Sequence, residues 1–452
     1  MKSLNRRNFL KSTGGVAAAV AAAPIVKPAW SRTSPNEMIR IAVIGLNGRG
    51  QSHYREWPKI ANVEVAYLCD IDERLFPKHL AAMEKISAKK PKTETDIRRV
   101  LEDKEVDAIS VAAPDHWHAL ATIWGCQAGK DVYVEKPTSH NIWEGRKMVE
   151  AARKYNRIVQ AGMQNRSIAN VRAAMKFLHD GGLGEVYMAK GLCFKPRDTI
   201  GRKQNSPVPE GVHYDLWLGP APYRPFNENR FHYNWHWFWD YGCTDLGNQG
   251  PHQMDIARWG MNKHEYPVKI HCSGGYFIFD SDQETPNTQM ATLEYADGKI
   301  IQFEVRGLYT NAENGITIGN LFYGSKGWMY VDGSTWKTFM GRKERGGWAY
   351  DPGQGMESKE GAADPMNLLG TGDSPHFKNF IDAMRSRKVS DLNADIEEGH
   401  RSTSLCHLAN LAYRLKRQLQ FDSNLECFVN DPQADGYLAR RYRAPFVVPE
   451  KV

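Results

Sequence analysis

The chain has little to cross-link it, nothing long enough to span a bilayer, and almost no surplus charge outside its first residues. Its 452 residues include seven cysteines, at 69, 126, 193, 243, 272, 406 and 427, with no Cys-x-x-Cys pair. An odd number without paired spacing argues against a disulfide framework, and no metal-ligand spacing of Cys and His is present. Ser12 to Val26 is free of charge but only fifteen residues long, short of the ~20 that cross a membrane as a helix. The net charge is +7, yet Lys2, Arg6, Arg7, Lys11 and Lys27 account for five of it, leaving +2 on the remainder. That is too little for a nucleic-acid footprint. Glycine (39) and proline (23) keep to ordinary shares, which excludes collagen and long disorder. What remains is a globular chain of two domains or more.

The basic start Asn5-Arg6-Arg7-Asn8-Phe9-Leu10-Lys11, followed by an Ala-rich apolar stretch, describes an export signal. Its paired arginines resemble a twin-arginine (Tat) signal, with Asn5 where that pattern usually has Ser or Thr. Residues 1–33 are read as this segment, with cleavage near Ala29–Ser34. The expected location is the periplasm, with membrane anchoring if the signal is retained. Tat substrates fold before export, so a cofactor would be loaded beforehand and held tightly.

From Met38 onward strands and helices alternate. Strands are expected at Ile39–Ile44, Val63–Cys69, Ala108–Ala112, Asp131–Val134 and Ile158–Ala161, with helices at Leu75–Ile86, Ile97–Asp103, Trp117–Gly129 and Ile142–Tyr155. That order predicts an α/β domain, 38–163, with a parallel sheet covered on both faces. After a helix at Val171–Asp180 the texture changes. Longer strand-like segments, with turn chemistry at Asp297-Gly298 and Ser325-Lys326-Gly327, predict an α+β domain over 164–430 with a large, mostly antiparallel sheet. Residues 341–373 read as a surface loop, Ser374–Ser386 and Asp395–Leu419 as helices, and 431–452 as a tail.

The first strand runs into Gly45-Leu46-Asn47-Gly48-Arg49-Gly50. In a dinucleotide fingerprint the first glycine makes the tight turn, the second admits the pyrophosphate and the third lets helix pack on strand. Gly45 and Gly50 fill the outer places; Asn47 holds the middle one, with Gly48 beside it. Asp70, at the end of the second strand, stands where a carboxylate accepts the ribose hydroxyls of NAD and repels a 2′-phosphate. Asp72 and Glu73 add to that repulsion, while Arg74 leaves NADP open as the less favoured cofactor.

Two more motifs stand at the carboxyl ends of parallel strands, where ligands of open α/β sheets bind: Ala113-Pro114-Asp115-His116-Trp117-His118 and Glu135-Lys136-Pro137. With the glycine cluster and Asp70, they resemble the glucose–fructose oxidoreductase/inositol dehydrogenase (Gfo/Idh/MocA) family, over 38 to about 443 and most strongly over 39–166. The resemblance implies a Rossmann dinucleotide-binding domain, a sheet domain supplying the substrate pocket, and a homodimer or homotetramer. It assigns Lys136 to substrate hydroxyl and nicotinamide ribose, and places Arg49, Pro114, His118 and Glu135 at the cofactor. In the family motif Asp-x-x-x-His, His252 matches the histidine and Asn248 stands where Asp is usual, with Asp245 three residues earlier as a possible compensation. Gln164 and Arg166, after the sixth strand, fall at the domain junction and are substrate candidates. Asp115 is read as the N-cap of the helix that follows it.

Removing hydride from a carbinol carbon leaves a hydroxyl proton for a group with pKa near working pH. Unperturbed histidine has one; lysine needs its pKa lowered. His252 is therefore expected as base and Lys136 as the orienting group, the reverse remaining open. Between Trp217 and Tyr241 lies an aromatic-rich stretch interleaved with Arg, His and Asp, suited to stacking on sugar rings or to packing at interfaces; Trp237 and Trp239 are the substrate candidates within it. Three readings follow: an NAD-dependent dehydrogenase of a sugar, glycoside or polyol hydroxyl; an NAD-dependent glycoside hydrolase working through transient oxidation; or a non-catalytic sugar-binding member.

Overall fold

The computed structural model describes residues 37–341, 357–359 and 373–452. The expected signal segment, 1–33, lies outside them, as does most of the loop expected at 341–373.

Strands β1 (Ile39–Ile44), β2 (Val63–Cys69), β3 (Lys92–Glu94), β4 (Ala108–Val111), β5 (Asp131–Val134) and β6 (Val159–Ala161) form one sheet in the order β3-β2-β1-β4-β5-β6. Every pairing is parallel. This order reverses direction between β1 and β4, and that switch point opens a crevice at the strands' carboxyl ends. Ile41, Ala42 and Val43 are all buried, as in a sheet covered on both faces. The short β3 escaped the sequence reading because Lys-Thr-Glu carries no apolar alternation; it pairs at the sheet edge, where polar side chains are tolerated.

A second sheet follows. Strands β7 (Val186–Cys193), β8 (Lys269–Gly275), β9 (Thr288–Glu294), β10 (Ile300–Arg306), β11 (Ile318–Gly324), β12 (Gly327–Val331), β13 (Thr335–Met340), β14 (Glu357–Lys359), β15 (Leu419–Asp422) and β16 (Cys427–Phe428) line up as β14-β13-β12-β11-β7-β10-β9-β8-β15-β16 among the described residues. Only β7 and β10 pair in parallel. The expected turns join β9 to β10 and β11 to β12, each pair antiparallel; Gly298 takes φ +80°, open only to glycine without strain. Helices Ala169–His179, Gly250–Gly260 and Ile396–Leu415 supply residues to the large core on one face of this sheet, including Met175, Met254 and Leu408.

Late segments return to the first sheet. Phe377, Phe380 and Ile381 of helix Asp373–Ser386 pack with Trp57 and Tyr133. Phe446, Val448 and Val452 sink into the core around Val111 and Val132, while Arg440 Nε and Tyr442 Oη donate to the buried Glu144 Oε1 at 2.9 and 3.0 Å. All seven cysteines are free thiols, six of them buried. Among the described residues no helix is long and apolar enough to cross a membrane, and no His/Cys/Asp/Glu cluster has metal-binding form.

Candidate active site

At the switch point lies a cleft of about 500 Å3 walled by both sheets' loops. Gly45 has φ +89°, and a Cβ there would sit 2.7 Å from Ala112 O; a Cβ on Gly50 would fall 1.8 Å from Gly45 O. These two glycines let the first turn fold against β4 and let the helix Gly50–Glu56 start close to the strand. Gly48 has open space where a Cβ would stand, so backbone at that point can approach a pyrophosphate even though Asn47 holds the usual second place. Asp70 closes this end. Its two oxygens accept from the backbone N–H groups of Leu46 (2.7 Å) and Asp72 (3.0 Å). Burial raises its pKa to about 6 against the pull of those bonds. Arg74 is bound by both carboxylate oxygens of Asp72, each at 2.7 Å. The residues present therefore fit a dinucleotide with an unphosphorylated ribose.

Glu135 follows β5 directly and is a strut. Its Oε1 accepts from Arg49 Nε (2.8 Å) and Gln164 Nε2 (3.0 Å) and lies 3.0 Å from His53 Nε2. Burial would raise its pKa; the charge of Arg49, with His53, overcomes that and holds the carboxyl well below its usual range. His118 sits between Pro137 O (2.6 Å) and Ala113 O (2.7 Å), tying the loops after β4 and β5 together. The helix that carries it starts at Asp115, with Pro114 in the cap position and no side-chain cap bond. Asp115 is thus not the N-cap: its carboxyl is buried at the cleft, and burial lifts its pKa far above the carboxylate range despite nearby Lys136.

Lys136 Nζ donates to Asn248 O at 2.5 Å and to Asn248 Oδ1 at 3.0 Å. Asn248 Nδ2 in turn donates to Asp245 Oδ1 at 3.2 Å, and Asp245 is gripped by Arg197 at 2.7 and 2.9 Å. Asp245 therefore does not line the cleft; it turns the Asn248 amide so that its oxygen faces the lysine. Burial lowers the pKa of Lys136, and the charges of Glu135 and Asp115 only partly restore it. His252 stands on the helix Gly250–Gly260 and lines the same cleft. Burial, then the Lys136 charge, bring its pKa down to about 3, and its Nδ1 is buried without a hydrogen-bond partner among the described residues.

Of the expected residues, Gly45, Asn47, Gly48, Arg49, Asp70, Pro114, His118, Glu135, Lys136, Gln164, Asn248 and His252 line this one cleft. Arg166 does not: it forms a buried two-point pair with Asp255 (2.7 and 2.8 Å) and reaches Glu398 at 3.0 Å, locking the turn after β6 to two helices. Trp237 and Trp239 also stand behind the wall, Trp237 beneath the Arg197 guanidinium and Trp239 against Glu284 O. The turn Asn234–Trp237 presents Trp235 and His236 to the cleft and sends Trp237 into the apolar cluster around Trp217. Lys195, Arg197, Tyr233, Trp235 and His236 complete the wall. Lys195 and Arg197 were not foreseen because they follow β7 with no motif around them.

A family model described as oxidoreductase family, NAD-binding Rossmann fold, matches residues 39–163. A second, the C-terminal alpha/beta domain of the same Gfo/Idh/MocA family, matches 188–332 and 367–448, and a twin-arginine translocation signal model matches 3–23. A glycosyl hydrolase family 109 protein from Shewanella sp. (strain ANA-3) is 27% identical over 172 residues, and an alpha-N-acetylgalactosaminidase from Shewanella oneidensis is 26% identical over 172. Each match takes in 34% of this chain and 38% of the relative, so well under half of those proteins is represented. Among solved structures, the WlbA dehydrogenase of Chromobacterium violaceum, bound to NADH and UDP-GlcNAcA, is 20% identical with a TM-score of 0.62, covering 86% of this chain and 98% of that one. A levoglucosan dehydrogenase with NADH and L-sorbose is 15% identical with a TM-score of 0.64, covering 85% and 99%. At such identities the likeness is one of fold.

Proposed function

Because this chain belongs to the Gfo/Idh/MocA oxidoreductase family, with an NAD-binding Rossmann domain and a Tat export signal, we propose that it oxidises a secondary hydroxyl of a sugar, glycoside or polyol. The observation that carries this reading is the convergence of Lys136, Asn248 and His252 in one cleft with the glycine turn and Asp70. NAD, when bound, supplies the hydride acceptor. The bidentate Asp72–Arg74 pair leaves that arginine engaged, which favours NAD over NADP.

The proton is the protein's task. A neutral lysine has two N–H bonds, and Asn248 accepts both through O and Oδ1. The amine lone pair is then left for the substrate hydroxyl. Burial moves Lys136 toward that neutral form, while His252, brought down to about 3, is a neutral imidazole at working pH. Lys136 is therefore the base and His252 the hydrogen-bonding guide, the reverse of the order that unperturbed pKa values suggest. Export of the folded chain in the periplasmic direction calls for tightly held NAD, reoxidised by a second substrate, by a redox partner or by re-reduction of the same molecule.

The second reading, hydrolysis through transient oxidation, is favoured by the partial likeness to family 109 glycosyl hydrolases and by His236. Its Nδ1 lies 2.5 Å from Tyr233 O, which fixes the proton there and leaves Nε2 as an acceptor at the cleft. Incubating the protein with a glycoside panel separates the readings: reduced nicotinamide accumulates with a dehydrogenase, whereas a hydrolase releases aglycone without it. A Lys136→Ala, His252→Ala pair with unchanged sugar affinity and no activity in either parent or variant would identify a binding protein instead.

A further inference from the structure

The two walls of the cleft differ in their charged groups, the first domain's side holding Arg49 and Lys136 beside its carboxylates. The carboxylates that line the cleft, Asp70, Asp96, Asp115 and Glu135, all belong to the first sheet's loops, and among the described residues the second domain contributes none. Each is already engaged or buried. Asp70 accepts two backbone N–H groups, Asp96 is paired with Arg98, Asp115 is buried, with its pKa raised by that burial, and Glu135 is paired with Arg49. The second domain's side holds Lys195 and Arg197. Arg197 is neutralised by the two-point pair with Asp245. Lys195 is not: its Nζ donates to the neutral Gln249 Oε1 at 2.6 Å, and no carboxylate pairs with it among the described residues. Gln249 is itself held by a bond from its Nε2 to Gln253 Oε1 at 3.1 Å, so its oxygen stays turned to the lysine. The ammonium keeps two further donors.

Lys195 is close enough to the reacting groups for its charge to disfavour protonation of both Lys136 and His252. Oxidised nicotinamide is also cationic. A neutral sugar entering here would leave this positive charge uncompensated in a partly desolvated site, whereas an anionic substituent would neutralise it.

Building on the oxidoreductase reading, we propose that the substrate is an acidic sugar, whose anionic group is bound by Lys195 while its secondary hydroxyl meets Lys136 and His252. The shared chemistry is a carboxylate or an ester of sulfate or phosphate on the ring.

The test uses the full chain loaded with NAD. Dissociation constants are measured by calorimetry for methyl glucoside, methyl glucuronide and the sulfate ester of the glucoside at its primary hydroxyl. At least one acid should bind roughly 10- to 100-fold more tightly than the neutral glucoside, the gain of one hydrogen bond between charged groups. Which acid gains more tells carboxylate from sulfate. Lys195→Gln should bring the ratio close to one and Lys195→Arg should keep it, with thermal melts confirming that both variants fold. Equal or tighter binding of the neutral sugar, no binding by either acid, or a preference that survives Lys195→Gln overturns the proposal. NADH formation, followed in parallel, reports on the redox reading alone: acid preference without NADH leaves the binding inference standing and removes the oxidoreductase one.

Discussion

The nucleotide side of the cleft is built from backbone and from side chains that already satisfy one another, whereas the substrate side is built from side chains left wanting. Asp70 and Glu135 hold two and three partners respectively within the protein; among the described residues His252 Nδ1 has none and Lys195 has only an amide. A site for an invariant ligand can be finished in advance, because the glycine turn, the short helix and the carboxylate need only wait for it. A site that moves a proton cannot, since a fully satisfied amine or imidazole has no lone pair to offer. Preorganisation on one side and unsatisfied valence on the other are what the two tasks demand.

The sharpest break in this contrast comes from Lys136→Met. It should lower turnover by roughly 10^2- to 10^4-fold, the range for losing a general base, while released-nucleotide assays show NAD content unchanged. Loss of NAD along with activity would mean that Lys136 belongs to the finished side. Next, Asp70→Asn should weaken NAD binding roughly 10- to 100-fold by removing charge-assisted hydrogen bonds. In the parent protein, NAD affinity should hold steady above about pH 6 and fall below it, where the buried carboxyl takes up a proton and loses the charge that strengthens its bonds to the ribose; the Asn variant should be flat. A parent profile without that inflection places the ribose contact elsewhere. Asn248→Asp probes the boundary between the two sides. A carboxylate beside Lys136 favours the ammonium, so the pH at which turnover rises should move upward, and a downward or absent shift would exclude the lysine as base. The smallest effect belongs to Trp239→Phe, about twofold at most in kcat/KM, because that ring packs against Glu284 and Arg414 behind the wall.

The same division explains what the sequence disclosed. The first sheet was legible almost strand by strand, since β-branched runs alternate with helical spacing, and its cofactor residues lie within a few positions of strand ends where the fold dictates their direction. The Asp297-Gly298 and Ser325-Gly327 turns were equally local. The substrate wall was not. Its polar members come from the loop after β7, an aromatic stretch and the helix Gly250–Gly260, and their meeting depends on how the second sheet packs rather than on any short spacing. Within Asn234–Trp237 the choice of which aromatic faces the cleft follows from one turn of helix, which composition cannot reveal; hence Trp235 and His236 stand there and Trp237 does not. Arg166 looked like a substrate residue because of its place after β6, but Asp255 and Glu398, 89 and 232 residues onward, claim it as a structural tie. The export signal, by contrast, was readable from its arginine pair and the short apolar stretch that follows, and the family match to 3–23 agrees.

The most direct test of the account follows a labelled atom. A sugar substrate deuterated at the carbinol carbon is mixed with the NAD-loaded protein in ordinary water, and the nucleotide released by denaturation is weighed by mass spectrometry. Direct transfer across the cleft predicts reduced nicotinamide carrying the deuterium. Reduced nucleotide without label, or label found only in the solvent, would contradict it.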